Sequence, residues 1–561
     1  MKHIRIPFLV VVLSLTLTGM AFAIDIPLIP TWVGVTGGLI PGTAIAGVGG
    51  GGPGRGDVLL GPLYDCRDLT DPNLPGAAGT TAIPQATLIS IVNTHHTLGV
   101  VGRIRFREWK RSIEVLDFDI PLTSNDVWVA QVSRVATGGC VLTSPDMYIT
   151  NIPTAGGGMD PFLAAPIPAG GFTFNPLLIT DGDANPIART EYGEFEFIGE
   201  ELFSALTAGG TVNRLTPTGV LGGVRDVPNV LEGTVYIVRP DVAVSHQYNM
   251  TALANFAVSP NGIYQSPISA FPTLYSAVQG GPDQAAPANP GAGGFDNLEA
   301  LLSKRFVDFQ YTNGGQIGGY PVGETTPMST SLVISFPTKL HHYVHAGVYA
   351  SLVDPGGVGP VFPYRIPFSG AREVLGDETR STALIPALGT QDAGEVVECT
   401  IWDRAEHQLA PPTIPISPAR TPLCRLPWQV NVIGLYPSET VSPNTFRNNW
   451  LIPTASATSS QTFYSGWGRI DLSPPLGGDT RTVRQGGGAF RGNPIVFNYF
   501  NNFFTEYFGL PALGIVMTEF YNDAVAGYYG NTVAWQYGVD WANLGAVPAI
   551  PHNPTDPPNP R

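Results

Sequence analysis

Between Gly102 and Trp109 the side chains alternate without a break. Arg103, Arg105 and Arg107 fall on one face, Ile104 and Phe106 on the other. Successive side chains of an extended chain point to opposite faces, so this period of two predicts a half-buried antiparallel strand with its arginines outward. The same reading extends to Thr87–Asn93, Ser112–Ile120, Asp126–Val132, Glu191–Glu200 and Val235–Val238, with Pro121 to Asn125 as a turn. Later in the chain it covers Ser331–Phe336, Tyr343–Tyr349, Val396–Asp403, Trp428–Leu435, Thr462–Leu472 and Ala512–Tyr521.

Composition decides what such strands build. The 67 glycines and 53 prolines supply turns and long loops, and a 43% hydrophobic share is enough to bury a core. Short strands separated by turn signals argue for an all-β protein made of two β-sandwich domains, immunoglobulin-like or jelly-roll-like. We place the first sandwich at residues 57–245 and the second at 306–545. Residues 246–305 read as a loop-and-helix insertion, because Tyr248 to Phe256 and Asn297 to Lys304 have helical composition. A Gly/Pro-rich arm at 24–56 leads in, and its unbroken glycine run at Gly49 to Gly52 is expected to free it from the first domain. A proline-rich tail at 546–561 is expected to be disordered.

The first 23 residues read as a signal peptide. Lys2, His3 and Arg5 precede an apolar run from Ile6 to Thr18, and Ala21-Phe22-Ala23 forms a small-residue cleavage site. The expected mature chain starts at Ile24, is exported, and lies in the periplasm, at the outer surface or outside the cell. No later apolar run reaches the roughly 18 residues of a spanning helix. The formal charge of −15 becomes −17 once Lys2 and Arg5 are removed, which argues against nucleic acid as a partner. Cys66, Cys140, Cys399 and Cys424 are even in number, two per half, with no C-x-x-C among them. In an exported chain that pattern predicts disulfides, and the spacing favours Cys66–Cys140 and Cys399–Cys424.

Several phrases carry a resemblance. They are Gly56-Asp57-Val58-Leu59-Leu60, Ile91-Val92-Asn93-Thr94, Arg105-Phe106-Arg107-Glu108, Val115 to Ile120, Asp126-Val127-Trp128, Ile334 to Lys339 and Gly466 to Ile470. Over residues 56–530 the chain resembles a group of uncharacterised secreted β-rich bacterial proteins, frequent in delta- and gammaproteobacteria. The phrases are strand cores, so the resemblance implies architecture and location and carries over no active site.

Candidate chemistry is sparse. Asp181-Gly182-Asp183-Ala184-Asn185 opens like a calcium loop, but Pro186 stands where glycine should make the sharp turn. A looser calcium site on Asp181, Asp183 and Asn185 is the metal candidate, with an ordinary Asp/Gly/Asn turn as its rival. His341 and His345 would lie about 13 Å apart in an extended chain, too far for one ion, and His95-His96 fares no better. Glu194 with Glu196, and Asp117 with Asp119, offer the paired carboxylates a glycosidase needs, as does any polar strand face. The aromatic run from Tyr499 to Phe508 is an interaction surface if exposed. No nucleophile elbow, H-E-x-x-H or phosphate-binding loop is present. The sequence therefore predicts a non-enzymatic exported envelope or extracellular protein. Its expected role is structural, adhesive or assembly-related, through contacts with other such proteins, itself or polysaccharide. The alternatives are a carbohydrate-binding module, marked by an exposed aromatic row on one sheet face, and a secreted hydrolase with a loop-built site.

Overall fold

In the first half, the computed structural model of the chain describes residues 44–45, 54–68, 84–149, 152–153, 159–160, 163–208, 210–214, 229–240, 244–254 and 274. In the second it describes 302–304, 306–312, 328–340, 395–403, 423–426, 428–435, 449–451, 465–472, 482–485, 505–508, 510–522 and 527–534. The leader at 1–23, the tail at 546–561, the stretch Tyr343–Tyr349 and His341, His342 and His345 lie outside the described residues. So does most of Asn297–Lys304.

The described residues form an all-β fold of several mainly antiparallel sheets. A six-stranded sheet runs in the order Phe172–Thr173, Cys140–Thr143, Val127–Arg134, Ala86–Asn93, Leu231–Arg239, Val244–Asn249. Against it packs a nine-stranded sheet centred on Val58–Asp65, Tyr192–Leu206, Gly99–Glu108 and Glu114–Leu122. The apolar faces meet as the alternation demands: Ile104 and Phe106 join Ile89, Ile91, Trp128, Val132, Val235 and Ile237 in one core. Phe106 is its hub, with ring centroids of Tyr64, Phe174 and Phe195 at 5.4, 5.0 and 5.3 Å. Such pairs each add about 1 kcal/mol beyond area burial. Cys66 and Cys140 are disulfide-bonded and staple the nine-stranded sheet to the six-stranded one. Gly61 lies beneath the Phe195 ring and Gly99 beneath Phe203, where an added Cβ would collide with the aromatic carbons.

The second half supplies two further sheets. A five-stranded one is ordered Asn449–Leu451, Val430–Leu435, Met328–Ser335, Leu513–Asn522, Gly527–Ala534. A four-stranded one is ordered Phe306–Thr312, Ser465–Asp471, Glu395–Asp403, Leu423–Leu426. The five-stranded sheet is buried on both faces. Leu332, Ile334, Phe336, Ile433 and Val516 pack with Val307, Val397, Ile401 and Ile470 of the four-stranded sheet. Val333, Val430, Val432, Ile515 and Met517 point the other way and belong to the core of the first half. The five-stranded sheet thus meets the first half along Val58–Asp65 of the nine-stranded sheet and Val244–Asn249 of the six-stranded one. Trp109 marks this seam: its carbonyl accepts from the Val430 amide at 2.9 Å, and its ring meets Trp428 edge-on at 4.9 Å and stacks on Tyr192 at 5.0 Å.

Three expectations are corrected. The arginine face of Gly99–Glu108 is not solvated, since Arg105 and Arg107 are 2% and 3% exposed, with Pro337 and Leu513 of the second half beside Arg107. Of the stretch Tyr248 to Phe256, the described residues 248–254 are not helical: Val244–Asn249 and Thr251–Ala254 are strands that complete the first two sheets, so the first sandwich runs past 245. Tyr248, Met250 and Ala252 are buried while Gln247 and Asn249 are exposed, a period of two that outweighs the helical preference of Ala, Leu and Met. The glycine run does not set the whole arm free, because Ala44–Ile45 pairs with Thr251–Ala254 at the edge of the chain's own nine-stranded sheet.

Candidate functional site

The polar face of the nine-stranded sheet carries the densest chemistry among the described residues. The arginine strand is flanked on both sides by acidic strands. Across the register, Asp119, Arg103 and Ile198 form one row, Asp117, Arg105 and Glu196 the next, and Glu114, Arg107 and Glu194 follow near a bulge. The side chains then interlock. Arg103 binds Asp117 and donates to Asp119 at 3.1 Å. Arg105 donates to Glu114 at 2.6 Å and to Glu196 at 2.9 Å. Arg107 donates to the Ser112 carbonyl at 3.0 Å, and Glu194 accepts from the Ser112 hydroxyl at 2.7 Å.

At the end of the strand lies a second knot. Arg189 donates to both oxygens of Glu108 at 3.0 and 2.5 Å and to both of Asp181 at 2.7 and 2.6 Å. Glu108 also accepts from the backbone amides of Lys110 and Arg111 at 2.6 and 2.8 Å, fixing the tight turn that carries Trp109 into the seam. Burial disfavours the Arg189 charge, yet the two carboxylates outweigh it and its pKa is raised.

This knot is where the calcium candidates fall. The cation beside Asp181 is the Arg189 guanidinium, with Arg111 at 3.5 Å behind it. Asp183 pairs with Lys110 at 3.2 Å, and Asn185 caps the short helix Pro186–Arg189 by accepting from the Ala188 amide. Pro186 opens that helix, so the residue that breaks the calcium pattern has a structural use. Among the described residues no three His, Cys, Asp or Glu are grouped to hold a metal. His95 accepts from the amides of Thr97 and Leu98 through Nδ1, capping a turn. The side chains of Tyr499 to Phe508 lie outside the described residues, although Thr505–Phe508 pairs with Thr482–Gln485. Cys399 is also disulfide-bonded.

Not every carboxylate is satisfied. Burial pushes Glu194 up to about 7, against the pull of Ser112 and Arg107, with Glu196 adding to the rise. Ser335 lies near it from across the seam, without a full hydrogen bond. Glu200 is 1% exposed with no hydrogen-bond partner for either oxygen, and both Glu200 and Asp119 are raised well above the carboxylate range, first by burial. The crevice beside Glu194 and Glu196 is closed by Leu60, Pro337 and Leu513 and measures about 10 Å³, room for one water.

A pH dependence follows. A carboxyl whose folded pKa is raised favours the folded state below its unfolded value of 4.5 and loses that contribution as pH rises through its folded value. For Glu194 the window is 4.5 to about 7, and the loss is about 3 kcal/mol. Urea midpoints should therefore fall from pH 5 to pH 8, and Glu194→Gln should flatten the fall. A midpoint that does not change between these pH values in the parent chain would contradict the assignment.

The Glu108–Arg189–Asp181 knot escaped sequence reading, because Arg189 sits in an ordinary-looking loop 81 residues from Glu108. No protein family, curated protein or solved structure matches the chain. The fold and the buried lattice define it as an all-β protein of several mainly antiparallel sheets with a buried ionic cluster.

Proposed function

We propose that this is a non-catalytic exported protein of the cell envelope or extracellular space, acting in structure, adhesion or assembly through the surfaces of two tightly joined β-sandwiches. One observation carries the reading: among the described residues, most of the clustered carboxylates that acid–base chemistry would need are paired inside the protein with guanidinium groups. Glu196 is held by Arg105, Asp117 by Arg103, and Glu108 with Asp181 by Arg189. Glu194 has a pKa suited to acid catalysis, but the space beside it admits a water and no sugar ring. The leader and the disulfide agree with export, as does the resemblance to secreted β-rich proteins.

Fractionation of the producing cells, with N-terminal sequencing of the protein recovered, tests this. The expected result is protein outside the cytoplasm that starts at Ile24 and turns over none of a panel of glycoside and ester substrates. Cytoplasmic protein retaining Met1, or a turnover abolished by Glu194→Gln, would overturn it.

A further inference from the structure

We propose that the outward face of the four-stranded sheet is a binding platform for a neutral saccharide; this deepens the adhesive form of the function above by naming its ligand. The face is a small grid fixed by strand register. Gln310, Trp467 and Trp402 form one row, and Asp308, Arg469 and Thr400 the next. The residues between them, Val307, Phe309, Ile470 and Ile401, point inward to the core.

Two features set this grid apart from an ordinary solvated face. Trp467 is 38% exposed, and its ring stacks on Trp402 with centroids 3.8 Å apart and planes within 11°. Large aromatic surface left in water marks contact sites, and mutual stacking fixes both rings before any ligand arrives. The polar groups beside them are fixed too. Arg469 donates to both oxygens of Asp308 at 2.6 and 2.9 Å, and its guanidinium lies over Phe306 at 4.5 Å.

A pyranose has the matching chemistry: a ring face of C–H bonds that packs on indole, and a rim of hydroxyls that each donate and accept. Asp308 and Gln310 offer acceptors to that rim, and Arg469 and Gln310 offer donors. The charge of the grid argues against anionic ligands, since Asp308 and Asp471 flank Arg469 and the whole chain carries −15. Nucleotides and acidic polysaccharides are thereby disfavoured, and a neutral polymer is selected.

The test is affinity electrophoresis of the full-length oxidised chain through gels containing soluble β-1,4-glucan, β-1,3-glucan, α-1,4-glucan or a polyuronate, with tryptophan fluorescence titrations on oligomers of the same sugars. We expect retardation by at least one neutral glucan, affinity about tenfold lower in Trp467→Ala, and partial retention in Trp467→Phe. Asp308→Ala should also weaken binding, which guards against a misfolded tryptophan variant, while Leu177→Ala on the far sandwich should not. No retardation by any neutral glucan, undiminished binding by Trp467→Ala, or preference for the polyuronate would overturn the platform. Those outcomes leave the exported, non-catalytic reading standing, because location and turnover are measured separately.

Discussion

Arg189→Ala is expected to cost about 3–5 kcal/mol, the usual price of removing one partner from a buried ionic cluster. The guanidinium lies between Glu108 and Asp181, whose side chains are both 0% exposed. Without it two carboxylates are left in a dry interior with too little positive charge to balance them. Arg189→Lys should recover only part of the loss, because an ammonium cannot present the planar fork that binds both Glu108 oxygens. Adding Glu108→Gln and Asp181→Asn to Arg189→Met should restore much of the stability, since the orphaned charges go with their partner. The measurement is urea unfolding followed by circular dichroism. A loss under about 1 kcal/mol for Arg189→Ala would mean that water reaches the cluster and that the knot does not set the seam.

Removing the disulfide should cost a similar amount. Cys66 and Cys140 are 74 residues apart in sequence and 6.0 Å apart at Cα. Opening a loop of that size releases about 4 kcal/mol of chain entropy to the unfolded state, if the loop-entropy account holds. The double variant Cys66→Ala/Cys140→Ala should lower the thermal midpoint by several degrees and leave the sheet signal intact. Peptide mapping of the parent protein should give Cys66–Cys140 and Cys399–Cys424. A Cys66–Cys399 peptide would show that the halves are cross-linked instead.

The fold was legible wherever one face of a strand met the core and the other did not. Thr87–Asn93 and Asp126–Val132 were read almost to the residue because Val127, Val129 and Gln131 stay exposed while Trp128, Ala130 and Val132 are buried. Val58–Asp65 offered no alternation to read, and only its start entered as a strand core, through the resemblance: both its faces are buried, and Pro62 argues against a central strand. Pro62 is tolerated because the ladder to Tyr192–Leu206 slips there, and the pairing with Thr251–Ala254 has ended at Leu60.

The site was legible by halves. Reading Arg103, Arg105 and Arg107 as one face was right; reading that face as solvated was wrong, because nothing local announces that a sheet some 230 residues downstream will cover it. The acidic pairs were found as pairs, and their partners were not, since Arg105 and Glu196 are 91 residues apart. Long-range ion pairing has no short-range signature.

The ionic seam also bears on the order in which the chain is made. Ribosomes deliver the first sandwich before the strands that will cover it exist. Had its waiting face been leucine and valine, each new chain would have carried an adhesive sheet until the rest arrived. A lattice of arginine and carboxylate can stand in water in the meantime, hydrated and self-paired, and gives up that water only when Ser335, Pro337 and Leu513 close over it. The desolvation that makes the seam a weak source of stability also means that a partly folded chain presents charge, not an apolar sheet, on that face.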